Sequence, residues 1–254
     1  MVCQTQKLLH LSHLPTVFLL FVFFATLSSY SLHWYLTEPA ENSIRNVWNV
    51  ENRKILRGLF CFSVVGGSVC FWFLRAFWVE ILGIGFVTFL YTAPKIPVRP
   101  FTYLRGMAVG KTFYLAASWV FATTILPIFI AQETWQNEEQ PIQNEPNVLV
   151  FSVCLLFDFR DQTADRAAKI KSITVFLNPQ KLSIVLSISL LCGVFSGLRL
   201  HEFGFSWLIF SILSIPFILL FFLFRYVIRE RSDYLYFIIL DGLMAISSIL
   251  TLFL

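Results

Sequence analysis

The sequence predicts an all-α fold, a polytopic membrane bundle of about eight transmembrane helices, and three observations carry that expectation. The first is composition: 57% of the residues are hydrophobic and only 13% charged, against roughly 25% charged in a water-soluble domain. The second is a recurrence of apolar runs long enough to cross a bilayer. The third is that basic residues gather on alternate connections between those runs. Twenty-nine Phe residues and a mean hydropathy of +0.73 speak against a soluble enzyme. The expected surroundings are membrane lipid, and nothing points to nucleic acid as a partner.

A span needs about 20 predominantly apolar residues. The expected spans cover residues 14–36, 55–74, 78–93, 107–131, 148–159, 182–198, 205–225 and 234–254, in one domain over 1–254. The first has a signal-peptide look, with Lys7 before it and small residues at 25–29. Cleavage there would send Arg45, Arg53, Lys54 and Arg57 outward, against the charge rule, so the span is kept. The fifth is short and is expected to continue into the polar segment after it. Residues 132–147 are polar and acidic, contain Pro141 and Pro146, and read as an exposed outer loop. Glu80, at the outer end of the third span, can snorkel to the interface. The five Cys are scattered without metal or disulfide spacing and read as free thiols.

The connections 37–54, 94–106, 160–181 and 225–233, with their helix ends, hold sixteen of the nineteen Lys and Arg, leaving Lys7, Arg75 and Arg199 on the other side. Such asymmetry marks the cytoplasmic face and puts both termini outside. With no organelle-type transit segment, a bacterial inner membrane is the expected location.

The run carrying chemistry is Phe157-Asp158-Phe159-Arg160-Asp161-Gln162-Thr163-Ala164-Asp165-Arg166. Aspartates at i, i+3 and i+7 fall within about 60° on a helix, giving one acidic stripe at the inner end of the fifth span. A charge at membrane depth usually faces a cavity or a partner, and clustered carboxylates need neutralising. Oxygen ligands of this kind suit Mg²⁺, which keeps waters and bridges to phosphates. The alternative is a solvated helix end whose aspartates pair with Arg160, Arg166 and Lys169. Asp241, inside the last span, is a second candidate, for function or for a hydrogen bond to a neighbouring helix.

Asp158, Asp161, Asp165 and Arg166, followed by Lys169, Lys171, Ser172 and Thr174, resemble the second aspartate-rich motif, DxxDxxxDR, of the UbiA superfamily of intramembrane aromatic prenyltransferases. Tyr91-Thr92-Ala93-Pro94-Lys95 resembles that family's Tyr-Ser/Thr-x-Pro run with its following Lys. The resemblance covers most of the chain from the first span onward. It implies a UbiA-like bundle that moves an isoprenoid chain from a prenyl diphosphate to a lipophilic acceptor. It further implies Mg²⁺ as cofactor, Asp158, Asp161 and Asp165 as metal ligands and catalytic groups, and Tyr91, Lys95, Arg99 and Arg166 on the diphosphate.

The chain departs from the family where the first motif would stand. Residues 30–41 contain no aspartate, only Glu38 and Glu41 with the helix-breaking Pro39 between them. Family members also commonly carry one more span and an inward N-terminus, so the family's first helix is expected to be missing. His33 and Trp34 are expected here as interfacial aromatic anchors. One motif holds one metal at most, and three unneutralised carboxylates repel a diphosphate unless Arg45, Arg53, Lys95, Arg99 or Arg105 grip it. The second expectation is therefore a catalytically degenerate UbiA-like protein that binds lipid or a partner. A transporter would show interrupted, inverted-repeat spans. A CDP-alcohol phosphotransferase needs an Asp-Gly start, which Asp158-Phe159-Arg160-Asp161 lacks. The Phe-rich runs 18–24 and 217–224 could face lipid or line a prenyl tunnel.

Overall fold

The computed structural model describes residues 1–11, 14–36, 44–96, 101, 110–131, 140–167, 169–230, 232 and 234–252. Arg99, Arg105, Glu38 and Glu41 lie outside the described residues, so the expectations placed on them are not addressed below. The described elements are helical, with no strand among them. A short α1 (Val2–Leu8) precedes α2 (Thr16–Leu36), α3 (Ile44–Glu51), α4 (Arg53–Phe73) and α5 (Trp78–Thr92). Then come α6 (Lys111–Ala131, with a π-helical stretch at Phe121–Ile125) and α7 (Gln140–Arg160). The short α8 (Gln162–Ala167) and α9 (Ile173–Phe176) lead to α10 (Pro179–Arg199), α11 (Trp207–Arg229) and α12 (Asp241–Leu252), the last preceded by π-helical Leu235–Leu240.

Among the described residues, six helices are long and apolar enough to cross a membrane: Thr16–Leu36, Arg53–Phe73, Arg75–Lys95, Lys111–Ala131, Pro179–Glu202 and Trp207–Arg229. Large apolar side chains on their outer faces, such as Phe62, Trp72, Phe195 and Phe222, are 60–73% exposed. A soluble surface does not carry apolar patches of this extent; the protein is an integral membrane protein.

The short fifth expected span gains its length upstream. α7 begins at Gln140, inside the stretch read from sequence as an outer loop, so residues 140–147 are helix. Its continuation into the polar segment also forms, after a turn at Asp161. The Asp161 N–H donates to the Phe157 carbonyl at 3.1 Å and the Asp165 N–H to the Asp161 carbonyl at 2.9 Å, so the helical register runs through the break.

The two larger apolar cores among the described residues lie on opposite sides of the bundle. α7, α10, α11 and α12 interlock through Leu149, Val153, Leu156, Leu182, Leu186, Phe217, Phe224 and Leu243. Gly193 lets α10 close on α11, for an added Cβ would lie 2.1 Å from the Phe217 ring. On the other side, Phe18 of α2, Ile81 of α5 and Leu126 of α6 form a smaller core with Leu14 and Leu74. The Phe-rich runs serve both core and lipid: Phe18, Phe217 and Phe224 are buried, whereas Phe23 and Phe222 face out.

At one end α1 tucks under α6 and α12. Pro127 has no N–H to give the Thr123 carbonyl one turn back, and the Thr5 hydroxyl donates to that carbonyl at 2.9 Å instead. The Ser248 hydroxyl donates to Gln4 Oε1 at 2.8 Å. At the opposite end the C-terminal ends of α2, α5 and α7 meet the N-terminal ends of α6 and the last helix. The acidic run lies there.

Candidate functional site

The site is built around Lys111, the first residue of α6. Its Nζ lies 3.1 Å from Asp158 Oδ1 and 3.1 Å from Asp165 Oδ2, with Asp165 Oδ1 at 3.3 Å. The side chains of Lys111, Asp158 and Asp165 are only 3%, 2% and 4% exposed. The Thr112 hydroxyl donates to Asp158 Oδ2. Helical geometry explains the pairing: positions seven apart return to within about 20° of each other, whereas position i+3 lies about 60° round. The acidic stripe is therefore split. Asp158 and Asp165 share Lys111, while Asp161 turns toward a neighbouring chamber and accepts a hydrogen bond from Arg160 Nε at 2.9 Å.

The segment after the aspartates folds back beneath them. Lys169 takes the left-handed conformation (φ 57°), and the Lys169 and Ile170 N–H groups bond the Arg166 and Asp165 carbonyls at 3.1 and 2.8 Å, a Schellman closure of α8. This returns Thr174, whose hydroxyl donates to the Asp158 carbonyl at 3.0 Å. Gln162 Nε2 donates to the Thr174 carbonyl and, at 3.2 Å, to that of Leu177. The Ser/Thr residues of the motif thus brace the backbone that carries Asp158.

The Tyr91–Lys95 run arrives from α5. The Tyr91 ring stacks on His33 at 4.8 Å between centroids and 16° between planes. Lys95 Nζ is 2.8 Å from His33 Nε2, and Lys111 Nζ lies 5.6 Å from the Tyr91 ring centre. The two sequence motifs therefore meet, joined through His33 and Lys111. His33 is buried, which corrects its expected place as an interfacial anchor: stacking on Tyr91 and the bond to Lys95 draw it inward. Trp34 packs edge-on to Tyr30 and Phe237 at 6.1 and 5.8 Å. Arg166 is not at the chamber; it is exposed, and its Nη2 donates to the Val175 carbonyl at 3.1 Å.

Two cavities adjoin this cluster. The larger, about 280 Å³, is apolar and lies between α2 (Phe21, Ala25, Ser29), α5 (Ile81, Gly85, Thr88) and α6 (Leu115, Trp119, Thr123), with Phe60 of α4. The smaller, about 60 Å³, carries the polar groups: Tyr30, His33, Tyr91, Arg160, Asp161 and Asp241 face it. They share Ser29, Tyr30, Leu115 and Trp119 as a common wall. The Arg160 guanidinium is held over the rings of Phe157, Tyr236 and Phe237 at 5.3, 5.1 and 4.7 Å, a cation–π cage that fixes its direction. Asp241 faces the same chamber as Asp161 and stands apart from the Asp158–Asp165 pair.

The arrangement does not fit the Mg²⁺ implied by the resemblance. Lys111 already engages Asp158 and both oxygens of Asp165, Thr112 takes the second oxygen of Asp158, and Arg160 engages Asp161. Among the described residues, no three His, Cys, Asp or Glu side chains gather where a metal could be held. Lys111 is the functional residue that sequence reasoning missed, having counted it only among the charges that set topology. The signal was there: a lysine beside a threonine opening an apolar span, in a chain whose acidic stripe needed a cation.

Comparison with family models, curated proteins and solved structures finds no match.

Proposed function

We propose that this chain is a UbiA-like membrane protein that takes the apolar chain of an isoprenoid lipid into its larger cavity and seats the polar end in the smaller chamber, without metal-assisted transfer. The observation that carries this reading is the shared wall of the two cavities. The two are neighbouring compartments, and one ligand with a slender apolar tail and a compact polar head is the occupant that would use both. At about 280 Å³ the apolar part is close to the lower end of ligand pockets, about 300–1,000 Å³, a size suited to a short isoprenoid tail. Arg160, Asp161, Asp241 and Tyr91 offer the head both donors and acceptors. The protein spans the membrane eight times in this reading, in a bacterial inner membrane, with both termini outside and the chamber toward the cytoplasm. Its support is the gathering of Lys95, Lys111 and Arg160 at one end of the bundle, on the side to which the loop charges also belong.

Prenyl transfer from a prenyl diphosphate to a lipophilic acceptor, with Mg²⁺ assistance, is the second reading. The convergence of Tyr91 and Lys95 with Asp158, Asp161 and Asp165 favours it. The engagement of Lys111 opposes it.

The test uses detergent-purified protein with labelled farnesyl diphosphate or farnesol, with and without Mg²⁺. The expected result is retention of a prenyl ligand that ignores Mg²⁺, no release of diphosphate, and loss of retention in Ala25→Trp, which fills the apolar cavity. Mg²⁺-dependent diphosphate release that disappears in Asp161→Asn would establish the transferase instead. Retention of neither ligand would sink both readings.

A further inference from the structure

We infer that Lys111 is a tethered cation that excludes divalent metal from the Asp158–Asp165 pair, and that removing it turns the pair into a metal site. This goes beyond the lipid-binding reading and stands independently of it, because it concerns what neutralises the carboxylates and not what fills the cavities.

The argument begins with charge. Two carboxylates facing one point inside a bundle repel each other unless a cation lies between them. Asp158 and Asp165 face one point because they are seven residues apart, and the Lys111 ammonium sits at it, 3.1 Å from each. Nitrogen-to-oxygen distances of this length suit N–H···O bonds, whereas Mg²⁺ demands oxygen ligands at about 2.0–2.1 Å and keeps several waters. The pair is almost fully buried, leaving little access for hydrated ions. The fourth oxygen of the pair is taken by Thr112, and the Tyr91 ring faces the ammonium at 5.6 Å, an arrangement that favours a monovalent organic cation. Covalent attachment adds an effective concentration that a free ion must overcome. A lysine also cannot open a coordination position to a phosphate, as a metal does, so the acidic motif here serves to hold α6 against α7 and α8.

Lys111→Met removes the ammonium and keeps the bulk of the side chain. Purified wild-type protein titrated with Mn²⁺ should show no uptake by electron paramagnetic resonance, and Mg²⁺ should leave its Tm unmoved. Lys111→Met should bind one Mn²⁺ per chain and gain Tm with Mg²⁺ or Mn²⁺ by linkage, and the added change Asp158→Asn should abolish both effects. Lys111→Gln carries the same expectation should the methionine variant be recovered folded neither with nor without Mn²⁺. Wild-type uptake of Mn²⁺ that is lost in Asp165→Asn overturns the inference without any Lys111 variant, and so does a folded Lys111 variant that takes up none. Because the readout is metal uptake and not lipid retention, failure here leaves the cavity reading standing, and failure there leaves this one.

Discussion

Between α10 and α11 the helices approach so closely that a methyl group on Gly193 would lie 2.1 Å from the Phe217 ring; on Gly85, in the α5 wall of the larger cavity, a methyl would meet nothing within 4 Å. The two halves of the bundle use the same kinds of residue and fill space differently. In the C-terminal half, Leu182, Leu186 and Leu190 follow one another at one-turn intervals down a single stripe of α10 and are all buried. In the N-terminal half, Ala25, Ser29, Gly85 and Thr88 line the cavity with small side chains. A small residue can make room for a neighbour's ring, as Gly66 does for Phe24, or leave a void when bulkier neighbours hold the helices apart. Lys111 and its two aspartates lie on the seam between the halves.

Six substitutions test that contrast, and the seam should respond most. In metal-free buffer Lys111→Met leaves two buried carboxylates uncompensated and should cost about 3–5 kcal/mol of stability, read by chemical unfolding in detergent. Next comes Leu186→Ala in the packed half, at about 2–5 kcal/mol; Leu115→Ala, beside an existing void, should cost clearly less, and equal losses would erase the distinction between halves. The glycines should differ in sign. Gly193→Ala overpacks and should destabilise by about 1–3 kcal/mol, whereas Gly85→Ala should stabilise by about 0.5–1 kcal/mol through helix propensity, both followed by thermal melts. Smallest is Thr5→Val, which removes the hydroxyl bond to the Thr123 carbonyl and should lower stability by about 1 kcal/mol.

Much of the fold was legible because bilayer physics writes itself into long apolar runs; the first four expected spans fall close to Thr16–Leu36, Arg53–Phe73, Arg75–Lys95 and Lys111–Ala131. α7 was the exception. Its upstream turns are polar and contain Pro141 and Pro146, which read locally as loop, yet they continue a helix anchored by Leu149, Val153 and Leu156. The meeting of Tyr91 and Lys95 with the acidic run follows from the alternation of helix directions, and the motifs announced it. The choice of partner did not follow. Nothing in one dimension says that Lys111 takes Asp158 and Asp165 while Arg160 takes Asp161. Helical angle separates the middle aspartate from the other two, an offset of about 60° that is small on paper and leaves Asp161 on the smaller chamber while Asp158 and Asp165 meet Lys111. His33 was misread because an aromatic near a helix end resembles an interfacial anchor until its stacking partner is known.

The hydroxyl of Thr5, resting on the Thr123 carbonyl one turn before Pro127, has a consequence for the larger cavity. It seats α1, and Val2 of that helix packs on the same cluster whose Phe21, Val22, Ile81 and Leu126 form the walls of the larger cavity. α1 thus stands behind these walls and supplies none of the residues that line the cavity. How rigidly those walls are held then depends on how firmly one seven-residue helix is seated, a property that can be retuned without touching any residue that lines the cavity.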